Sequence, residues 1–127
     1  MIEKCTLIEP FACNKTDKIK DVAKKLKEYG QRHIYVLDKG KPVGIISVTD
    51  IIDRVVIAGK NAADVTAAQV MNPQIYTFED KDKVKNAYKL MSEKGIISVP
   101  ITEKGKYIGI LSLKEAVRYV TDPKNIE

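Results

Sequence analysis

Gly44-Ile45-Ile46-Ser47-Val48-Thr49-Asp50 decides the fold of this chain, because the stretch occurs twice. Its second copy is Gly109-Ile110-Leu111-Ser112-Leu113-Lys114-Glu115, at an offset of 65 residues. The similarity continues without a gap, since residues 17–55 align with residues 82–120 and share thirteen identical positions. Chance would give about two or three identities over this length, so the chain is a duplicated structural unit.

Each copy predicts the order strand, helix, strand, strand, helix. In the first copy, apolar residues at helical spacing predict a helix over 19–29, a β-prone hairpin follows over 34–46, and a second helix runs from about 49 to 57. The fold class is therefore α/β of the α+β type, with two βαββα repeats. We expect the two repeats to pack sheet to sheet with pseudo-two-fold symmetry, because one repeat alone leaves apolar strand residues uncovered. Those residues are Val36, Ile45, Ile46, Ile101, Ile110 and Leu111.

The domain boundaries follow from the repeat. Residues 8–60 form the first repeat, residues 61–72 a connector, and residues 73–122 the second repeat. The connector is rich in Ala and Val, a composition that predicts a short helix and not a flexible linker.

Composition narrows the class of protein. The chain has 127 residues and a net charge of +5, but its lysines are spread along the sequence and interleaved with acids, which is typical of a solvated surface. No apolar run reaches the roughly 18–20 residues of a membrane span. Cys5 and Cys13 form no CxxC motif and there is a single histidine, so we expect free thiols, no metal site and a cytoplasmic location.

The turn from Gly44 to Asp50 carries the residues that suit a ligand. A helix begins directly after the strand, and a helix N-terminus favours a phosphate. Ser47 adds a hydroxyl, Asp50 can accept hydrogen bonds from the two hydroxyls of a ribose, and Gly44 lets a planar ring or a backbone approach the hairpin. These groups suit a ribonucleotide or an adenosyl compound.

A second interpretation of the same residues is structural. Ser47-x-x-Asp50 also has the spacing of a capping box, in which the serine and the acid exchange hydrogen bonds with the first turn of the helix. Ser112-x-x-Glu115 in the second copy fits that pattern even better, because glutamate is the usual acid of a capping box.

The chain resembles a tandem pair of CBS domains, the modules named for cystathionine beta-synthase. The resemblance is carried by the Gly44–Asp50 stretch, by Val70-Met71-Asn72-Pro73 before the second copy, and by Ile97-Ser98-Val99-Pro100-Ile101 followed by Gly109-Ile110-Leu111-Ser112. It covers about residues 10–122.

The resemblance implies two clefts between the repeats that hold AMP, ADP, ATP or S-adenosylmethionine. The Gly-x-x-Ser/Thr-x-x-Asp motif of the family maps onto Gly44, Ser47 and Asp50, where Asp binds the ribose hydroxyls. The other implied positions are Thr49, Ile34 and Tyr35 in the first copy, and Thr77, Val99, Pro100, Ser112 and Glu115 in the second. His33 is a candidate hydrogen-bond partner of a base or phosphate, the alternative being an ordinary histidine at a strand edge.

The two copies differ at the family's acidic position. Glu115 replaces its Asp and adds a methylene, and Lys114 stands where the first copy has Thr49. We therefore expect one competent nucleotide site organised by Asp50 and a second that is weaker, altered or empty.

The resulting hypothesis is a stand-alone regulatory CBS pair for energy sensing, which binds an adenosyl ligand and signals to an unidentified effector protein, with a homodimer as the expected assembly. No cofactor is required and no metal is expected. The chain lacks a phosphate loop and a nucleophile constellation, so it is not expected to be an enzyme. A nucleic-acid-binding protein or a purely structural dimerisation protein are the alternatives.

Overall fold

Each repeat contributes one three-stranded sheet to the structure. The computed structural model describes residues 1–127, and these divide into a first-repeat unit, Phe11–Ile75, and a second-repeat unit, Met1–Pro10 with Tyr76–Glu127. Both units have the order strand, helix, strand, strand, helix. The predicted α/β class and the two βαββα repeats are therefore confirmed.

In the first-repeat unit the strands lie in the order β1-β2-β3, with β1 parallel and β3 antiparallel to β2. The chain leaves β3 directly into α2, which continues as a π-helical turn, and a short α3 follows later. The bounds are β1 Ala12–Asn14, α1 Ile19–Glu28, β2 His33–Asp38, β3 Lys41–Ser47, α2 Val48–Ile51, the π-helical turn Ile52–Val56, and α3 Ala67–Val70.

The second-repeat unit has the same topology, in the order β4-β5-β6. Even the register irregularity is repeated, since it lies between Val36 and Leu37 in one hairpin and between Ile101 and Thr102 in the other. The bounds are a 3-10 turn Ile2–Lys4, β4 Phe78–Glu79, α4 Val84–Lys94, β5 Ser98–Glu103, β6 Lys106–Ser112, α5 Leu113–Val120, and a 3-10 turn Pro123–Asn125.

Each unit has its own hydrophobic core. Helix α1 buries Ile19, Val22 and Leu26, which recur on one face because of the 3.6-residue period. They pack with Val36 and Ile46 of the sheet, while Ile101 and Leu111 lie in the core of the other unit. Burying one such side chain contributes about 1.5–3 kcal/mol. These four strand residues therefore lie in the core of their own unit.

The connector is less helical than predicted. Within residues 61–72 only Ala67–Val70 form a helix, which begins with a capping box between Thr66 and Gln69. The preceding residues form turns, since the Asn61 side chain accepts a hydrogen bond from the amide of Ala63. Val65, Ala67 and Val70 are buried in the core of the first-repeat unit. The repeat boundaries 8–60 and 73–122 remain predictions.

The N-terminal segment, defined here as Met1–Pro10, packs on the second repeat. Ile2 is fully buried in that core, and Ile8 exchanges backbone hydrogen bonds of 2.8 and 2.9 Å with Ile110 of β6. In the first-repeat unit, Asn72 makes the same pair of bonds with Ile45 of β3, at 2.8 and 3.0 Å. Each sheet thus gains a short bridge from the segment that precedes the other repeat.

Candidate functional site

The turn from β3 to α2 is built around a reciprocal pair of hydrogen bonds. The amide of Asp50 donates to Ser47 Oγ at 3.0 Å, and the amide of Ser47 donates to Asp50 Oδ2 at 2.8 Å. This is a capping box, which satisfies two donors that the helix start would leave unpaired. The structural interpretation of Ser47-x-x-Asp50 is therefore confirmed.

The capping box leaves hydrogen-bonding groups of Ser47 and Asp50 unused. Asp50 uses Oδ2 for the cap, which leaves Oδ1 with acceptor capacity, and the Ser47 hydroxyl keeps its proton to donate. Both residues are half-buried. One turn can therefore offer a fixed carboxylate oxygen and a hydroxyl donor to a ligand while it caps the helix.

Gly44 is covered by the connector. A β-carbon at Gly44 would lie 2.9 Å from Met71 Cγ and would overlap the thioether of the same side chain. The absent side chain accommodates Met71 beside the Asn72–Ile45 backbone bridge. The sequence predicts two uses of Gly44, the approach of a planar ring or of a backbone. The structure shows the connector, at Met71 and Asn72, lying close to Gly44.

The neighbouring strand places three more predicted residues, with different exposure. Ile34 is 1% exposed and its side chain lies in the core, so only its backbone could contact a ligand. Tyr35 is buried on the opposite face of β2, because successive side chains alternate. His33 is exposed and pairs with Ser47 in the hairpin register, and Thr49 is exposed on the first turn of α2. His33 and Thr49 are thus beside the capping box.

The second copy of the turn differs. The Ser112 hydroxyl accepts a hydrogen bond of 3.1 Å from the amide of Glu115, as expected of a cap. The Glu115 carboxylate instead accepts from the amide of Thr6 at 2.8 Å and from the Arg118 guanidinium at 2.6 and 2.7 Å. The expectation that Ser112 and Glu115 form the better capping box was therefore wrong. The longer side chain of glutamate reaches a guanidinium one turn along α5 and the N-terminal segment.

The remaining predicted residues of the second copy are dispersed. Thr77 is exposed directly before β4. Val99 is fully buried in the core of its unit, and Pro100 is buried on the adjacent position of β5. Lys114 is exposed on the first turn of α5. Only Ser112 and Glu115 therefore share a hydrogen bond in this copy.

Arg54 has a role that sequence reasoning missed. Its Nη1 donates to the carbonyl of Val70 at 2.7 Å and to that of Met71 at 3.4 Å. These carbonyls end α3, where a cation is favourable. Arg54 stays exposed while it makes these two contacts. The contact with Val70 could not be predicted from local patterns, because the two residues are 16 positions apart.

Both cysteines are free thiols. Burial is the main cause that raises the pKa of Cys5 and of Cys13 to about 11, so both thiols are protonated near neutral pH. The negative charge of Glu115 further raises the pKa of Cys5.

No group of three or more His, Cys, Asp or Glu side chains in the structure could hold a metal ion. Across the chain, every helix is too short or too polar to span a bilayer.

The repeat matches a known family twice. Residues 6–57 and 67–122 each match the CBS domain family. The protein MK0525 of Methanopyrus kandleri is 34% identical over 105 residues, which cover 81% of this chain and 54% of that protein. The chain spans about half the length of the curated relatives it matches.

Two solved structures share the fold. Hypoxic Response Protein I, solved with two coordinated zinc ions, has a TM-score of 0.78 at 16% identity, over 93% of this chain and 97% of that one. The CBS domain pair of protein MJ0100, solved in complex with 5′-methylthioadenosine and S-adenosyl-L-methionine, has a TM-score of 0.72 at 23% identity, over 93% of each chain. These structures share the fold, and the two family matches, over residues 6–57 and 67–122, place the chain in the CBS domain family with two copies of the domain.

Proposed function

We propose that this CBS pair is a regulatory module that binds an adenosyl ligand through the turn Ser47–Asp50. The observation that carries the proposal is the uncommitted Oδ1 of Asp50 beside the uncommitted hydroxyl proton of Ser47. A carboxylate oxygen fixed by a capping bond can accept from a ribose hydroxyl without reorganising. The pair of MJ0100 with its adenosyl ligands is a precedent within the same fold.

AMP, ADP, ATP and S-adenosylmethionine all contain the ribose that Asp50 would bind. Asp50 therefore defines the class of ligand, an adenosyl compound, but does not distinguish among these four compounds. Binding alone does not signal, because a ligand shifts an equilibrium only through different affinities for two states. An effector protein, or a second copy of the chain, completes the proposed regulatory function.

The function proposed for the CBS pair is the regulation of a partner and not the catalysis of a reaction. The two thiols, Cys5 and Cys13, have pKa values of about 11 and are protonated at neutral pH, which does not favour them as nucleophiles. Their free state also accords with a reducing compartment, so a cytoplasmic location is part of the proposal.

Asp50→Asn is the sharpest test, because it separates binding from capping. The asparagine oxygen can still accept from the amide of Ser47, whereas its NH2 group cannot accept from a ribose hydroxyl. Thermal shifts would be measured with AMP, ADP, ATP, GTP, NAD, S-adenosylmethionine and 2′-deoxy-AMP. A ligand at 100 times its dissociation constant stabilises the fold by about 2.7 kcal/mol.

We expect a shift with adenosyl compounds, a smaller one with 2′-deoxy-AMP, and none with Asp50→Asn. The matched control is Asp53→Asn, the same chemical change on an exposed residue of the adjacent π-helical turn. It should bind as the wild type does. An equal shift in wild type and Asp50→Asn would refute the role of Asp50, and no shift with any compound would refute the proposed ligand.

A homodimer is the second part of the proposal. Val48, Ile52 and Val56 recur at a spacing of four residues along α2 and the π-helical turn, and with Ile57 they are 40, 46, 67 and 73% exposed. A helix that presents an apolar stripe favours an isologous contact with its own copy. Sedimentation should give a dimer that Ile52→Glu dissociates. Ile97→Glu, an equally drastic change at an exposed isoleucine off the stripe, should leave the dimer intact.

A further inference from the structure

Glu115 joins two distant parts of the second-repeat unit. Its Oε2 accepts from the amide of Thr6 at 2.8 Å and from Arg118 Nη2 at 2.7 Å, and its Oε1 accepts from Arg118 Nε at 2.6 Å. The side chain is 12% exposed. Both carboxylate oxygens are thus committed, one of them to backbone 109 residues away.

The corresponding acid of the first repeat is used differently. Asp50 is one methylene shorter, bonds the amide of its own cap residue, and keeps one oxygen uncommitted. At the offset of 65, the position of Arg118 is occupied by Asp53, so the first copy has no guanidinium beside its acid. The same place in the repeat therefore holds an available carboxylate in one copy and a fully engaged one in the other.

Thr6 lies between the two points that fix the N-terminal segment. On one side, the amides of Ile2 and Glu3 donate to the carbonyls of Asp82 and Asp80 at 2.9 and 2.8 Å. On the other side, Ile8 exchanges hydrogen bonds with Ile110. Between these anchors, the bond from the Thr6 amide ends on Glu115. In the middle of the N-terminal segment, Cys5 and Leu7 pack against the core, and Glu115 supplies the acceptor of the Thr6 amide.

We propose that Glu115 holds the N-terminal segment in place of binding a ligand, and that this contact keeps the second-copy turn closed to adenosyl compounds. One carboxylate cannot bond Thr6 and Arg118 and also accept from the two hydroxyls of a ribose. A ligand that occupies the second-copy turn must therefore displace Thr6, Arg118 or both from the carboxylate. The part that concerns ligand rests on the proposed function, whereas the contact with Thr6 does not.

Glu115→Asp tests the contact without any ligand. We expect the shorter side chain to bond its own cap residue Ser112, as Asp50 bonds Ser47, and to leave the Thr6 amide without its acceptor. Because a hydrogen bond to a charged group is lost, we expect amide exchange at Thr6 to accelerate by about tenfold or more, measured residue by residue by NMR. Exchange at Ile8 should stay slow.

The matched control is Glu93→Asp, the same change at an exposed residue of α4. It should leave exchange at Thr6 unchanged. Glu115→Ala is the second variant should Glu115→Asp fail to fold, since it removes every side-chain acceptor for the Thr6 amide. Unchanged protection of Thr6 in the folded variants would overturn the proposal.

Titration calorimetry with AMP tests whether the contact with Thr6 closes the second-copy turn to ligand. We expect one site in wild type, two in Glu115→Asp, none in Asp50→Asn, and one in the double variant. A Glu115→Asp protein that releases Thr6 but still binds one AMP would overturn the exclusion of ligand by the N-terminal segment. If no variant and no wild-type protein binds AMP, the ligand half is overturned together with the proposed AMP binding, while exchange at Thr6 still decides whether Glu115 holds the segment.

Discussion

Met71 lies against Gly44 so closely that a β-carbon on the glycine would overlap the methionine thioether. The glycine of the repeated stretch therefore permits a contact between β3 and the connector. Gly109 has the same relationship to the N-terminal segment, where a β-carbon would lie 3.0 Å from the carbonyl oxygen of Ile8. In both repeats the glycine is required by the packing of chain against chain.

Gly44→Ala should destabilise the fold by about 1–3 kcal/mol, because it overpacks a filled position. The measurement is the free energy of unfolding in urea. Met71→Ala removes the obstructing side chain, so the double variant should be more stable than the sum of the two single changes predicts. Strict additivity would contradict the contact.

Glu115→Gln should destabilise the protein in a pH-dependent way. The hydrogen bonds from Arg118, and then that from Thr6, lower the pKa of Glu115 in the folded protein below its unfolded value. A lowered pKa stabilises the fold above the unfolded pKa of about 4.3, and the contribution is lost as pH falls through the folded pKa.

The difference between wild type and Glu115→Gln should therefore be largest near neutral pH and shrink below about pH 4. We expect about 1–2 kcal/mol at pH 7, the lower end being favoured because Arg118 is 57% exposed. Urea titrations at pH 7, 5 and 3 measure it, with Glu28→Gln, an exposed residue of α1, as the control. A difference that does not change with pH would contradict the assignment.

Lys39→Asn should stabilise the first hairpin. Lys39 has a φ of 52° and is followed by Gly40 with a φ of 81°, which is the pair of positive angles that a type I′ turn requires. Asparagine tolerates this conformation better than lysine, so we expect a gain of about 0.5–1 kcal/mol. Lys41→Asn, in β3 beyond the turn, should give no gain in the same thermal unfolding measurement.

The thiols should react slowly in the folded protein. With pKa values of about 11, about one thiol in a thousand is ionised at pH 8. Ellman's reagent should titrate two thiols per chain rapidly in urea and more than tenfold more slowly in buffer. Cys13→Ser assigns the remaining rate to Cys5, and a native rate equal to that in urea would contradict the burial of Cys13 and the half-buried position of Cys5.

Patterns within one repeat predicted most of the fold. The helix Ile19–Glu28, the two hairpins and the capping bond of Ser47 and Asp50 all follow from residues a few positions apart. The destination of the N-terminal segment could not be predicted, because the bond from Thr6 to Glu115 spans 109 residues and leaves no periodic signal. Glu115 was misjudged for a related reason: Arg118, three residues on, competes with the cap for its carboxylate.

The second-repeat unit is discontinuous in sequence, and this sets the order in which the chain can fold during synthesis. Phe11–Ile75 is contiguous and is complete once Ile75 has left the ribosome. Ile8, by contrast, emerges before the first repeat and about 100 residues ahead of Ile110, its partner, which is about 5–20 s at usual elongation rates. We therefore expect the N-terminal segment to become structured after the first repeat that follows it in sequence.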